Sequence, residues 1–301
     1  MKLHKQNPLV SVVIATYNRE VFLRQAVQSV LDQTFTDWEL LIVDNESTDG
    51  TGKYLKTLKD SRIKVLKIRN NGIISISKNL GICQSKGVWV AFLDSDDWWH
   101  HSKLFECKKY MIDSVDLIYH DCKVESKHIK RKDINSRQLK SPVLFDLLLN
   151  GNPIVGSSVV VKKSLLAEVN NMNEDADLNA TADFNTWLKI ASKTESFLHI
   201  SQKLGYYRFH ENNVSSHTIL KPTIDSMGDF FHLLNQKQQR RVVLNLTYSQ
   251  GRLKFINKDF VGCKIDLVKV VRHGGFLNRL KSIWMLVQIW PNGLRISKQN
   301  P

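Results

Sequence analysis

The chain has 301 residues, 42% of them hydrophobic and 24% charged, and a formal net charge of +14. That composition supports a sizeable buried core, excludes a disordered or fibrous chain, and at this length fits one large domain with an appendage. The four cysteines (Cys83, Cys107, Cys122, Cys263) form no CxxC pair and "MKLHKQNPLV" holds no apolar signal core, so a reducing, cytoplasmic setting is expected.

In chain order, "LVSVVIA" (Leu9 to Ala15) predicts a strand, and Glu20 to Gln33, with Phe22, Ala26, Val27, Val30 and Leu31 at helical spacing, predicts a helix. "WELLIVD" (Trp38 to Asp44) is a second strand, Thr51 to Lys59 a helix, "IKVLKI" (Ile63 to Ile68) a third strand, and Ser75 to Gln84 a short helix. A continuous apolar run from Val88 to Leu93 predicts a fourth strand, buried on both faces. Four alternations of strand and helix predict an α/β fold around a parallel sheet with right-handed crossovers.

The fourth strand runs straight into "DSDDWW", which sets Asp94, Asp96 and Asp97 side by side. Carboxylates this close repel by about 4 kcal/mol per pair at an effective dielectric near 20, so the cluster implies a bound cation or a well-solvated turn. Its place at the carboxyl end of a parallel strand favours the cation, because ligands bind at that edge of open α/β sheets. A nucleotide held there lacks the usual glycine cradles. "TYNRE" follows the first strand instead of GxGxxG, and "DGTGKY" has Ser47 and Tyr54 where a P-loop needs Gly and Ser or Thr. A diphosphate would then need a divalent metal, with Asp94 and Asp96 as hard oxygen ligands.

Five segments, "VSVVIATYNR", "LLIVDNESTDGT", "SKNLGICQSKGVWVAFLDSDDWW", "NPIVGSSVVVKKSLL" and "YYRFHENNVS", in this order and spacing, resemble the family 2 inverting glycosyltransferases of the GT-A fold over about Pro8 to Ser216. The resemblance implies a Rossmann-like nucleotide-diphospho-sugar transferase domain over residues 1–216. Its nucleotide-binding half covers about 8–99 and its acceptor half about 100–216, built on a mixed sheet flanked by helices. A basic helical extension over 217–301 follows. It also implies a UDP-sugar donor and Mn2+ or Mg2+. Thr16, Tyr17 and Asn18 would hold base and ribose. Asp44 is similar to the base-recognition aspartate, with Asn45 offering an acceptor and donors where the family often has a second Asp. Lys78 stands where the family often has Arg and would act as a point charge on phosphate.

In the acid motif the resemblance assigns Asp96 to the metal, Asp94 to ribose or the metal shell, and Ser95 to the donor site. Asp97 would cap the next helix or touch the sugar, and Trp98 and Trp99 would floor a sugar or pack in the core. The general base of an inverting transfer is implied at Asp183 in "TADFNTWLKIA", where Ala182 replaces the family's Glu; Asp175 and Asp177 are reserves. Arg208 would neutralise the leaving group, and His210 would complete the metal site or contact the diphosphate.

An aspartate-nucleophile phosphotransferase would carry its acids at the first strand, where this chain has Ala15, Thr16 and Tyr17. A non-catalytic sugar- or nucleic-acid-binding protein is the remaining alternative, since from Thr218 to Pro301 there are 14 Lys/Arg against 4 Asp/Glu. The retained Asp44, Asp96 and Asp183 favour an enzyme, and no nucleic acid is expected. A hexosyltransferase is expected, moving glucose or galactose onto a saccharide or a lipid-diphosphate-saccharide, as in O-antigen or capsule assembly. In the tail, Phe276, Leu280, Ile283, Trp284, Val287 and Trp290 share one helical face, which fits an interfacial helix on the inner, anionic membrane surface or a helix packed on the main domain; no apolar run there is long enough to span a membrane.

Overall fold

The computed structural model describes residues 7–126, 132–209 and 220–296, with side chains through residue 289. Two compact units divide the chain: residues 1–147 with 152–210, and residues 148–151 with 211–301.

The first unit is built on an eight-stranded mixed sheet of order β3-β2-β1-β4-β7-β6-β8-β5. Its parallel half follows the predicted alternation: β1 (Val10–Thr16), α1 (Glu20–Leu31), β2 (Trp38–Asp44), α2 (Thr51–Thr57), β3 (Ile63–Lys67), α3 (Ile74–Gln84) and β4 (Trp89–Phe92). β1 pairs in parallel with both β2 and β4, Thr16 lying opposite Asp44 and Val13 opposite Phe92. The order therefore reverses at β1, and the crevice that such a switch point creates falls at its carboxyl end, between the loops after β1 and β4. The apolar runs are buried because helices cover both sheet faces.

The other half adds β5 (Trp98–Trp99), α4 (Lys103–Lys108), β6 (Leu117–Ser126), α5 (Val143–Asn150), a 3-10 turn at Gly156–Ser158, β7 (Val160–Lys162), α6 (Lys163–Glu168), a 3-10 turn at Ala176–Leu178, α7 (Ala182–Ala191) and β8 (Phe197–Phe209). β7 joins β4 and β6 antiparallel, and the two-residue β5 pairs with β8. That pairing folds the segment after the acids back across the sheet edge.

The second unit contains α8 (Leu220–Ser226), α9 (Gly228–Phe231), α10 (Gln236–Ile256), α11 (Phe260–His273) and α12 (Phe276–Ile296). α10 opens with a capping box between Asn235 and Gln238. Cys263 and Leu267 of α11 pack with Met285 and Ile289 of α12. Met285 and Ile289 interrupt the polar face of the helical wheel, and they are the residues this packing buries. Phe276, Leu280, Ile283, Trp284 and Val287 stay exposed; the side chain of Trp290 lies outside the described residues. Among the described residues no helix is long and apolar enough to cross a membrane.

Close approach of α3 to β1 rests on Gly81, where a Cβ would come within 2.4 Å of Val13 Cγ1. Gly81→Ala should therefore lower stability by about 1–3 kcal/mol in urea unfolding, the usual cost of overpacking. An unchanged midpoint would show that α3 can move off the sheet freely.

Candidate active site

At the crevice, the loops after β1 and β2 are stitched together by side chains. Asp44 is buried and its Oδ1 accepts from Ser47 N (3.1 Å) and Ser47 Oγ (2.6 Å). Ser47 Oγ accepts in turn from Asn18 N (2.9 Å), and Asn18 Oδ1 accepts from Thr48 N (2.7 Å). Asn18 holds φ 49°, a left-handed value that asparagine tolerates. Asn45 Oδ1 accepts from Asn70 N (2.8 Å), so one face of the residue expected at the base is already used to fix the loop after β3. Thr16 Oγ1 is buried with no described hydrogen-bond partner, and the Tyr17 side chain is exposed beside it.

The acids after β4 separate into two groups. Asp94 and Asp96 remain partly open to solvent, whereas Asp97 is buried. Asp97 Oδ2 accepts from Ser157 Oγ (2.6 Å) and its Oδ1 from Arg208 N (2.9 Å). Burial first, then the charges of Asp96 and Asp94, push its carboxyl well above the usual range. Trp99 is buried too, its Nε1 donating to Ser157 O (2.8 Å). Asp97, expected to cap a helix or touch the sugar, and Trp99, expected to floor a sugar or pack in the core, are both buried and tie β5 and β8 to the 3-10 turn at 156–158. Ser95 is buried as well, and Ser157 Oγ also accepts from Asp94 N (3.1 Å). Trp98 is half-buried and stacked on Tyr206 at 5.0 Å, with the Arg208 guanidinium 4.5 Å from its ring centroid. Arg208 Nε donates to Asp96 O (2.9 Å), so this cation lies at the acid loop.

Asp183, in the first turn of α7, faces the same crevice. Lys78 of α3 joins it to Asp94: Lys78 Nζ lies 3.1 Å from Asp94 Oδ1 and 3.2 Å from Asp183 Oδ1. Burial pulls the ammonium towards neutrality, but Asp183 and Asp94 outweigh it and hold Lys78 charged, above the usual lysine range. The other oxygen of Asp183 sits over Gly156, where a Cβ would lie 2.4 Å from Oδ2. Gly156 and Ser157 were not singled out in the sequence; "VGSS" marks a turn but not what rests on it. Asp175 and Asp177, the reserve bases, are exposed, and Asp175 Oδ1 caps the following turn by accepting from Asp177 N. His210 lies outside the described residues.

Among the described residues no group of three or more His, Cys, Asp or Glu is placed to hold a metal by itself. Asp94 and Asp96, two partly exposed hard-oxygen carboxylates at one edge, would fit a divalent cation of the Mg2+ type, which takes few protein ligands.

A mixed sheet with paired acids at the carboxyl edge of a parallel half, and a further carboxylate converging on them, defines a GT-A nucleotide-sugar transferase. Residues 11–168 match the family model Glycosyl transferase family 2, and the chain belongs to that family; it is a glycosyltransferase. It is 30% identical over 220 residues to TuaG of Bacillus subtilis (strain 168), named for teichuronic acid biosynthesis, covering 69% of this chain and 82% of that one. It is 28% identical to the Escherichia coli UDP-Glc:alpha-D-GlcNAc-diphosphoundecaprenol beta-1,3-glucosyltransferase WfaP, covering 69% and 80%. The fold is shared with S. aureus TarS 1–349 in complex with UDP-GlcNAc (TM-score 0.63, 15% identity, 94% and 92% covered). It is also shared with the mannosyltransferase PcManGT from Pyrobaculum calidifontis in complex with GDP-Man and Mn2+ (TM-score 0.61, 14% identity, 95% and 81% covered).

Behind the acids, Lys103 of α4 is fully buried. Its Nζ has no described hydrogen-bond partner and lies 3.5 Å from the centroid of the Trp99 ring. Burial pulls its ammonium down to about 8, from an ordinary value of 10.5. Below about pH 8 folded and unfolded chains both carry this proton. Between 8 and 10.5 only the unfolded chain does, so rising pH through that window favours the folded state. Lys103→Met should flatten this rise, worth up to about 3 kcal/mol, when urea unfolding is compared from about pH 7 to 10. Parallel pH profiles for variant and wild type would refute the assignment.

Proposed function

We propose that the protein is a metal-dependent inverting hexosyltransferase, moving glucose or galactose from a UDP-sugar to a saccharide acceptor. The observation that carries this reading is the convergence of Asp94, Asp96 and Asp183 on one crevice at the carboxyl edge of β1 and β4. Asp94 and Asp96 would hold Mn2+ or Mg2+, which when bound neutralises charge on the diphosphate; His210 is the further ligand proposed for it. Thr16, Tyr17 and Asn18 would seat base and ribose, with Asp44 and the amide of Asn45 at the uracil edge. Ser95 shapes the loop beneath the donor, Lys78 and Arg208 supply positive charge for the leaving UDP, and Trp98 offers an aromatic face to a sugar.

In this reading Asp183 takes the proton of the acceptor hydroxyl as its oxygen bonds to the sugar C1. The C1–O bond to the diphosphate breaks on the opposite side, and UDP leaves with that electron pair. A saccharide linked to a polyprenyl diphosphate is the proposed acceptor, as in O-antigen or capsule assembly; WfaP, named for such an acceptor, supports it. The exposed Phe276, Leu280, Ile283, Trp284 and Val287 of α12, beside Arg279 and Lys281, support a peripheral seat on the inner, anionic membrane face. The glycosyltransferase domain would run to about residue 216, with the basic helical extension from 217.

Asp183→Asn should cut turnover by about 10²–10⁴-fold in a screen of UDP-sugars, and Asp96→Asn or EDTA should abolish transfer while the fold persists by circular dichroism. Full activity in either variant would overturn the role given to that residue, and a product retaining the donor's anomeric configuration by NMR would overturn inversion. Full-length protein should sediment with anionic liposomes and be released by high salt, whereas Trp284→Ser with Ile283→Ser should stay in the supernatant. Unchanged sedimentation of that double variant would exclude α12 as the membrane contact.

A further inference from the structure

The lysine between Asp94 and Asp183 serves two claimants. Its ammonium is buried, its stem is fixed by α3, and it bonds one oxygen each of a donor-side acid and of the base. Asp94 and Asp183 are both partly open to solvent, so a ligand entering the crevice meets the pair from outside. A nucleoside diphosphate sugar seated over Asp94 and Asp96 brings its phosphate charge beside this ammonium. The lysine cannot then serve the diphosphate fully while holding Asp183, because a point charge with three donors divides its attraction among the anions around it. While Lys78 holds it, Asp183 Oδ1 is occupied, and its Oδ2 lies against Gly156. In that state an acceptor hydroxyl approaching Oδ1 would share it with the lysine.

We propose that Lys78 couples donor binding to release of the base: it clamps Asp183 in the empty site, and the donor diphosphate draws it off, freeing Asp183 Oδ1 for the acceptor hydroxyl. This rests on the reading of Asp183 as base and of a UDP-sugar as donor. It makes donor binding the first event and makes Lys78 a positioning residue for Asp183 as well as a phosphate contact. The reciprocity of coupled sites supplies a readout apart from activity. If donor and base compete for one ammonium, removing the charge of Asp183 must strengthen diphosphate binding.

Calorimetric titration with UDP and with uridine, both with manganese present, tests this. Asp183→Asn should bind UDP about fivefold tighter or more than wild type, the lower end of ordinary site-to-site coupling, with uridine affinity unchanged. The gain should persist in a Lys78→Arg background, which keeps the cation, and vanish in Lys78→Met, which removes it. Equal UDP affinity in wild type and Asp183→Asn, an equal change for uridine, or a gain that survives Lys78→Met or is lost in Lys78→Arg would each overturn the coupling. Wild-type protein that takes up no UDP at all would instead overturn the donor reading, and the coupling with it.

Discussion

A single buried ammonium lets the acids of the crevice coexist. Asp94 and Asp183 come from elements far apart in the chain, the end of β4 and the start of α7, and both point at Lys78 Nζ. Like charges at this spacing repel by kilocalories at the dielectric of a protein surface, and removing water from Lys78 is costly by itself. Each charge is tolerable because the others are there. The arrangement fixes the distance between the carboxyl edge of β4 and Asp183 before any ligand binds.

The geometry of that trio is set by packing that carries no charge. Gly81 lets α3 lie against β1, which brings Lys78 to the height of the strand ends. Gly156 leaves room for Asp183, and the adjoining Ser157 holds Asp97, the backbone of Asp94 and the indole of Trp99. The third acid of "DSDDWW" is therefore a structural tie. Its buried carboxyl, saturated by Ser157 and Arg208, holds the Asp94–Asp96 loop against β8.

In the second unit α12 carries apolar residues on two sides. One side closes on α11 through Met285 and Ile289, and the other leaves large side chains exposed among basic residues. Soluble monomers seldom expose so many large apolar groups on a single helix, which marks that side as a contact surface. An irregular wheel thus reflects two separate faces of burial rather than a poorly formed helix.

How much was legible in the sequence follows from how local each signal is. The strands β1, β2 and β4 and the helices between them were readable because buried parallel strands must be continuous apolar runs and amphipathic helices must repeat at 3.6 residues, whereas β3, at the sheet edge, is interrupted by lysines. The acids could be placed at the carboxyl edge for the same reason, since strand direction alone fixes which end they occupy. The resemblance set Asp97 apart from Asp94 and Asp96, but the residues alone are chemically alike and adjacent; only the folded chain, by laying Ser157 and β8 over Asp97, buries that one and leaves the other two open. Lys78 was visible as a candidate phosphate cation, but not as the partner of Asp183, 105 positions away. Tertiary contact between α3 and α7 decided that, because an ion pair depends on distance in space and leaves no periodicity in the sequence.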